Sequence, residues 1–330
     1  LAAANGRVTV LLPDYNSGNE VLALNAAGAE LRYYHVRKDG YVDMSEVERL
    51  CTRHHVDVLY VIHYLGWPQP IREFADLAER LGIWLVEDCA LSLLSDAENE
   101  TLGTFGHWSI FCLYKTLPVP NGACLVENAQ HLCDLDHVRL KHAGLPSVLG
   151  TTTELLVRHI RSRSGSVGAA LQSMKRAAGR AAGAMEVARA SVGDIGFDLD
   201  QVDLAMSAVS ARLLKRLDFD AIRARRIANF DRLAAMLDGS VTPLFARRRH
   251  GVCPLMFPIL VNDKRAAAEL LRSSGIDALE FWNHGAGSPE GEGAAFLRRH
   301  VLGLPIHQDL TPRHVDYVAA QTARLPLRMQ

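Results

Sequence analysis

The chain has almost no net charge: 36 Lys and Arg against 37 Asp and Glu leave −1 over 330 residues. A duplex-binding surface needs concentrated Lys and Arg to displace counterions, so nucleic acid is not expected as a partner. The basic stretches at 158–163 and 247–250 read as solvated faces. No apolar run is long enough to cross a bilayer and no signal peptide is visible, so no membrane partner is expected. The six cysteines show no C-x-x-C spacing, and several lie in apolar runs, where a free cysteine behaves as a small hydrophobe. That usage fits a reducing cytoplasm and gives no reason to expect a metal. No G-x-G-x-x-G follows the early strand-like runs, so a nicotinamide dehydrogenase lacks its fingerprint. There is no internal repeat.

What the chain does have is a 48% hydrophobic composition, enough to bury a large core. Strand-like runs at 7–13, 31–36, 56–63, 83–87, 107–113 and 123–127 alternate with helical patterns at 18–27, 44–54 and 71–81. Such alternation predicts an α/β fold with a mainly parallel sheet covered by helices on both faces. Residues 1–149 read as a large domain. Residues 150–200 are Ala-, Arg- and Ser-rich and read as a helical insertion or arm. Residues 201–330 read as a long bridging helix at 202–237 followed by a smaller α+β C-terminal domain. Its elements are expected at 252–261 (strand), 264–274 (helix), 276–281 (strand) and 312–323 (helix).

Two strand ends carry chemistry. Leu85-Val86-Glu87-Asp88 delivers a carboxylate, and Trp108-Ser109-Ile110-Phe111-Cys112-Leu113-Tyr114 runs into Lys115. Ligands of parallel sheets bind outside the carboxyl ends of the strands. A lysine amine and an aspartate are what pyridoxal phosphate needs: the amine to hold the aldehyde as a Schiff base, the carboxylate to keep the pyridine nitrogen protonated. His63 also follows a strand-like run, so the topology could bring it to the same crevice.

The order of motifs resembles the DegT/DnrJ/EryC1/StrS aminotransferases, fold-type-I pyridoxal-phosphate enzymes that mostly aminate nucleotide-linked keto-sugars. Val10-Leu11-Leu12-Pro13 and Ala27-Gly28-Ala29 are similar to that family's opening "V-P" and "G-A" segments. Val61-Ile62-His63-Tyr64-Leu65-Gly66-Trp67-Pro68 resembles "V-H-x-x-G-x-P", and Val86-Glu87-Asp88-Cys89-Ala90 resembles "v-E-D-x-A". Gly103-Thr104-Phe105-Gly106, Ile110 to Lys115 and Asn121 to Val126 match its lysine segment and continuation. Met206-Ser207-Ala208, Arg223 to Arg226 and Leu304-Pro305-Ile306-His307 match C-terminal motifs.

The resemblance implies that Lys115 is the Schiff-base lysine and proton shuttle, and that Asp88 pairs with the pyridinium. It also implies that His63 and Tyr15 pack on or beside the ring, and that Ser109 substitutes for a phosphate-contacting serine whose position is held by Cys112. Other departures are Ser17 in the region of the ring-stacking aromatic, Leu91 after Glu87-Asp88-Cys89-Ala90, His107 for an aspartate, and Asp203 and Ala205 for residues that reach a neighbouring subunit's phosphate. Phe281, Trp282, Asn283 and His284 are candidates for lining the ketone site. The chain begins at Leu1, inside what resembles the large domain, so an upstream segment carrying a phosphate-binding Gly-Ser/Thr-x-Ala turn is expected in a longer gene product. The expected activity is amino transfer from an amino acid donor to a keto-sugar or similar ketone by a homodimer. The alternatives are another pyridoxal-phosphate reaction on the same fold, or a degenerate, non-catalytic dimeric scaffold.

Overall fold

The computed structural model describes residues 6–128, 138–141, 196–199, 202–245, 247–287 and 289–326. Almost all of the expected helical insertion at 150–200 lies outside them. No helix among the described residues is long and apolar enough to cross a membrane.

The large sheet is built from β1 (Thr9–Pro13), β2 (Glu30–Tyr34), β3 (Val58–Ile62), β4 (Trp84–Asp88), β7 (Trp108–Cys112) and β8 (Ala123–Glu127), ordered β2-β1-β3-β4-β7-β8. All neighbours pair in parallel except β7 with β8, which are antiparallel. β3, in the middle, is buried at all five positions, as a strand covered on both faces must be. Helices α1 (Asn19–Ala26), α2 (Met44–His54) and α3 (Ile71–Leu81) connect the parallel strands. Asp43 caps α2 through a hydrogen bond from Ser45 N, and Gly82 ends α3 in the left-handed conformation. A small hairpin, β5 (Asp96–Ala97) with β6 (Glu100–Thr101), precedes β7, and the one-turn α4 (Leu113–Thr116) follows it.

The sheet expected from the hydrophobic pattern is thus the observed one, with strand ends shifted by one or two residues. The long helix expected over 202–237 is not. It divides into α5 (Ala208–Leu214) and α6 (Phe219–Leu237). Ser207 and Asp218 each accept a hydrogen bond from a backbone amide three residues on, so each starts a helix of its own. The second sheet follows, with order β11 (Leu279–Glu280), β12 (Val301–Leu304), β10 (Phe257–Leu260), β9 (Thr242–Pro243), all antiparallel. Helices α7 (Lys264–Ser273), α8 (Glu292–His300) and α9 (Pro312–Thr322) complete this part. The strand expected over 276–281 is only two residues long, and α8 and β12 were not foreseen.

Buried residues of both parts form one contiguous apolar cluster. Gly66 shows how closely they meet. Its φ is +106°, and a Cβ there would fall on the Cys253 carbonyl oxygen and lie 3.0 Å from Pro254 Cα. Backbone must approach backbone here, and only glycine permits it. Gly66→Ala is expected to lower stability by about 1–3 kcal/mol through strain alone, read as a shift in urea midpoint at unchanged slope.

A second tie is polar. The Asp14 carboxylate accepts hydrogen bonds from His35 Nδ1 (2.8 Å), Val36 N (3.0 Å) and Gly291 N (2.9 Å). The bond to Asp14 holds the His35 imidazolium above the usual histidine range, against a smaller effect of burial. A raised folded-state value means this contribution is full below the ordinary histidine pKa and lost as pH rises through the folded value. His35→Gln is therefore expected to flatten the stability–pH curve between about pH 6 and 8. The amplitude stays under about 1 kcal/mol, since the ring is half exposed. Urea melts at several pH values check it.

Candidate active site

Because β3, β4 and β7 run parallel, their carboxyl ends open on one edge of the sheet. β4 ends on Asp88, which is 4% exposed. Its Oδ2 accepts a 2.7 Å hydrogen bond from Tyr60 Oη, and its Oδ1 accepts one of 2.9 Å from Ala90 N. Burial first, then the Asp88 and Glu20 carboxylates, push the Tyr60 phenol far above its ordinary range, so Tyr60 remains a donor. β7 ends at Cys112, where α4 begins and carries Lys115. Lys115 is half-buried, and among the described residues no hydrogen bond or ion pair engages its amine. Asp88 and Lys115 both exert charge on the Cys112 thiol, which burial holds above the ordinary range. The two residues expected to handle the cofactor therefore share one crevice.

Glu20 joins them. It sits in the first turn of α1, just after β1, the neighbour of β3. Its carboxylate accepts from Ser17 N (3.1 Å) and from Ser17 Oγ (2.7 and 2.9 Å to its two oxygens). Burial, then the negative charge of Asp88, hold it above the usual carboxylate range, while the Ser17 hydrogen bond and the Lys115 ammonium pull it back. Sequence reasoning missed Glu20. Ser17-Gly18-Asn19-Glu20 has the S-x-x-E spacing of a helix start, which gives such a glutamate a structural explanation and draws no attention to its place near Asp88.

His63 goes elsewhere. It is fully buried; its Nε2 lies 3.2 Å from a Glu87 oxygen and its Nδ1 accepts from Gln69 N at 3.0 Å. This fixes the Nε2–H tautomer and occupies both nitrogens. Tyr15 is 2% exposed and enclosed by Tyr64, Phe281 and Trp282, with ring centroids 5.3, 6.3 and 5.1 Å away, and by the Arg298 guanidinium 5.3 Å from its own. Ser109 is fully buried and donates to Gly103 O (2.7 Å) while accepting from Asn128 Nδ2 (3.1 Å). His63 and Ser109 are thus bonded within the large sheet and its loops, and Tyr15 packs between that sheet and the C-terminal part.

The divergent positions are also accounted for. Leu91 is buried at 3% exposure. His107 Nδ1 accepts from Leu85 N (2.9 Å), and its ring lies edge-on to Trp84 at 4.9 Å. Asp203 pairs with Lys141 at 2.8 Å. Met206 packs against Gly122, where its sulfur would meet an added Cβ at 2.8 Å. Phe281 and Trp282 are buried behind Tyr15, Asn283 is half-buried and His284 exposed.

The donor set fits pyridoxal phosphate at its reactive end. An amine that no hydrogen bond or ion pair engages among the described residues and a buried strand-end carboxylate that already receives two donors both act on the Cys112 thiol, and these are the groups needed to hold an aldehyde and a pyridinium. Among the comparisons, the DegT/DnrJ/EryC1/StrS aminotransferase family model matches residues 4–145. GDP-perosamine synthase of Vibrio cholerae is 29% identical over 106 residues, 32% of this chain and 28% of that protein. UDP-4-amino-4,6-dideoxy-N-acetyl-beta-L-altrosamine transaminase of Campylobacter jejuni is 24% identical over 110 residues, 32% of this chain and 29% of that protein. These matches span under a third of the curated relatives. In three dimensions the chain is similar to Helicobacter pylori PseC, an aminotransferase involved in the biosynthesis of pseudoaminic acid (TM-score 0.66, 14% identity, 98% of this chain and 80% of that one). It is also similar to S. venezuelae DesV (TM-score 0.64, 19% identity, 96% and 77%). At such identities the likeness speaks for the fold.

Proposed function

We propose that this chain, which over residues 4–145 belongs to the DegT/DnrJ/EryC1/StrS aminotransferase family, is a pyridoxal-phosphate-dependent aminotransferase that moves an amino group from an amino acid to a nucleotide-linked keto-sugar. The observation that carries the reading is the shared crevice of Asp88 and Lys115 at the carboxyl ends of β4 and β7. When bound, pyridoxal phosphate supplies an aldehyde that a lysine can hold covalently and a ring that accepts electrons.

This chain's residues do the rest. The Lys115 amine would hold the aldehyde and, once free, would carry a proton, a task suited to a flexible amine. The Asp88 carboxylate, oriented by Tyr60 Oη and Ala90 N, would serve the heterocycle nitrogen. A carboxylate so placed favours a protonated heterocycle through charge in a water-poor site. The keto-sugar assignment follows the names of the curated relatives, a perosamine synthase and an amino-sugar transaminase. A homodimer accords with the exposed apolar side chains Tyr114 on α4, Leu125 on β8 and Val209 on α5, 42%, 51% and 40% exposed, since exposed apolar patches mark association surfaces. The test is incubation with pyridoxal phosphate, borohydride reduction and peptide mass mapping, with the adduct expected on Lys115.

A further inference from the structure

The turn that carries Lys115 is too short to hold itself. α4 is one turn long and ends in the hydrogen bond from Leu117 N to Leu113 O, 2.8 Å, and a lone turn of helix is unfavourable by itself. Its place must come from outside. At one end Leu113 N donates to Gly122 O (3.0 Å), and Leu113 and Leu117 pack with Ile222 of α6 in a small apolar cluster. At the other end the Thr116 carbonyl is left over, because the residue four positions on is Pro120, which has no N–H to give. Gln308 Nε2 donates to that carbonyl at 3.3 Å. Gln308 is half-buried and lies just beyond β12, in the C-terminal part of the chain. Arg226, 2% exposed on α6, holds it there: Nη1 donates to Gln308 Oε1 at 2.8 Å, while Nε and Nη2 donate to Pro254 O (3.1 Å) and Leu255 O (2.6 Å). A guanidinium only donates, so the Gln308 amide turns its oxygen to Arg226 and its NH₂ to Thr116. One turn along α6, Asn229 Nδ2 donates to Ile306 O (3.3 Å) and His307 O (3.0 Å), which fixes the backbone leading into Gln308.

We propose that Gln308 is a positioning residue for Lys115: a side chain of the C-terminal part that braces the lysine-bearing turn through the Thr116 carbonyl and so couples the seating of that part to the place of the amine. The proposal rests on reading Lys115 as the amine that holds the cofactor. No hydrogen bond or ion pair engages that amine among the described residues, so its place is set by its own backbone. A turn free to shift by about 1 Å displaces a reacting group enough to lower a rate by on the order of 10²-fold. Arg226 alone already joins α6 to residues 254–255 and to Gln308. The NH₂ half of the Gln308 amide adds nothing to that joint; what it adds is the hold on α4, at the residue next to Lys115.

Gln308→Glu separates the two halves of the amide, since a carboxylate still accepts from Arg226 but has no hydrogen to donate to Thr116 O. The first readout needs no cofactor: amide hydrogen exchange of the whole chain, followed at Leu117, whose bond to Leu113 O closes the turn. Exchange there is expected to be about three- to tenfold faster in Gln308→Glu, the scale of one lost hydrogen bond, with the amides of β3 unchanged. The second readout is the time course of borohydride-trapped pyridoxal phosphate on Lys115 at several cofactor concentrations. The maximal trapping rate is expected to fall by about tenfold or more while the half-saturating concentration stays within about twofold, because a displaced amine reacts more slowly without loosening the contacts that bind the cofactor. A general loss of structure would move both. Leu117 exchange within about twofold of wild type overturns the proposal, and so does faster exchange with an unchanged trapping rate. If Gln308→Glu fails to fold, Gln308→Met, which keeps the length and lacks both bonds, carries the test by the same criteria. A wild type that takes no adduct on Lys115 removes the amino-transfer reading; faster Leu117 exchange in the variant then still identifies Gln308 as the brace of the turn, so the two failures are told apart.

Discussion

Lys115→Ala is expected to abolish the borohydride-stable pyridoxal-phosphate adduct at this position and to lower amino transfer by about 10²–10⁴-fold, the scale of losing a positioned proton-transfer group. The fold should tolerate the change. Lys115 is half-buried and no hydrogen bond or ion pair holds its amine among the described residues, so stability should stay within about 0.5 kcal/mol. That separation makes the experiment informative: an inactive, folded variant identifies the lysine with the chemistry. Lys115→Arg sharpens it, because a guanidinium keeps the positive charge at this position but cannot act as a nucleophile near neutral pH. It is expected to be as inactive as the alanine variant. Amino transfer at wild-type rate in either variant would remove Lys115 from the chemistry, and adducts on scattered surface lysines in wild type would remove the cofactor site.

Most of the large sheet was legible because its signal is redundant. β3 is apolar at every position, α2 and α3 carry apolar residues at helical spacing, and Asp43 and Gly82 punctuate them. The 202–237 segment misled because its composition is helical throughout, and the caps at Ser207 and Asp218 weigh little against that pattern until tertiary contacts favour a break. The short strands β9 and β11 give no periodicity to read. At the site, Asp88 and Lys115 could be found because strand ends in a parallel sheet converge. His63, Tyr15 and Ser109 also follow strand-like positions or lie within them, and only side-chain direction decides whether such a residue meets the crevice or the interior. That information lies in register, which period-2 alternation determines only once the pairing is known. Glu20 stayed hidden for the opposite reason: its local pattern already had an adequate explanation.

The largest stability effect is expected at Glu87. The Glu87-Asp88 pair divides its work by strand geometry, since successive side chains of a strand point to opposite faces. Asp88 turns to the crevice, while Glu87, fully buried, gathers the amides of Gly103, Phe105 (3.1 Å) and Gly106 (3.0 Å), the His63 Nε2–H (3.2 Å) and the Cys89 thiol (3.5 Å). Burial alone would raise its pKa, but the hydrogen bond from His63 Nε2–H and those from the backbone amides outweigh it and hold the carboxyl below the usual carboxylate range. Glu87→Gln offers these donors one acceptor oxygen instead of two and turns an NH₂ towards the rest. The expected loss is about 3–5 kcal/mol, the scale of removing one partner from a buried charged network. The pH dependence has a definite sign. A depressed folded-state value means this stabilisation is present above the unfolded carboxylate pKa of about 4.3 and is lost as pH falls through the folded value. Wild type should therefore show an acid limb that Glu87→Gln lacks, read from urea midpoints between about pH 3 and 7. Activity should fall as well, although Glu87 does not face the crevice. The loop it clamps also receives Ser109 Oγ and Asn128 Nδ2 at Gly103 O (2.7 Å each) and lies at the start of β7. A loosened loop displaces that strand, and β7 is what delivers Lys115 to its place opposite Asp88. His63, bonded to the same carboxylate, would act on the crevice through this clamp, so His63→Ala should reproduce a weaker form of both effects.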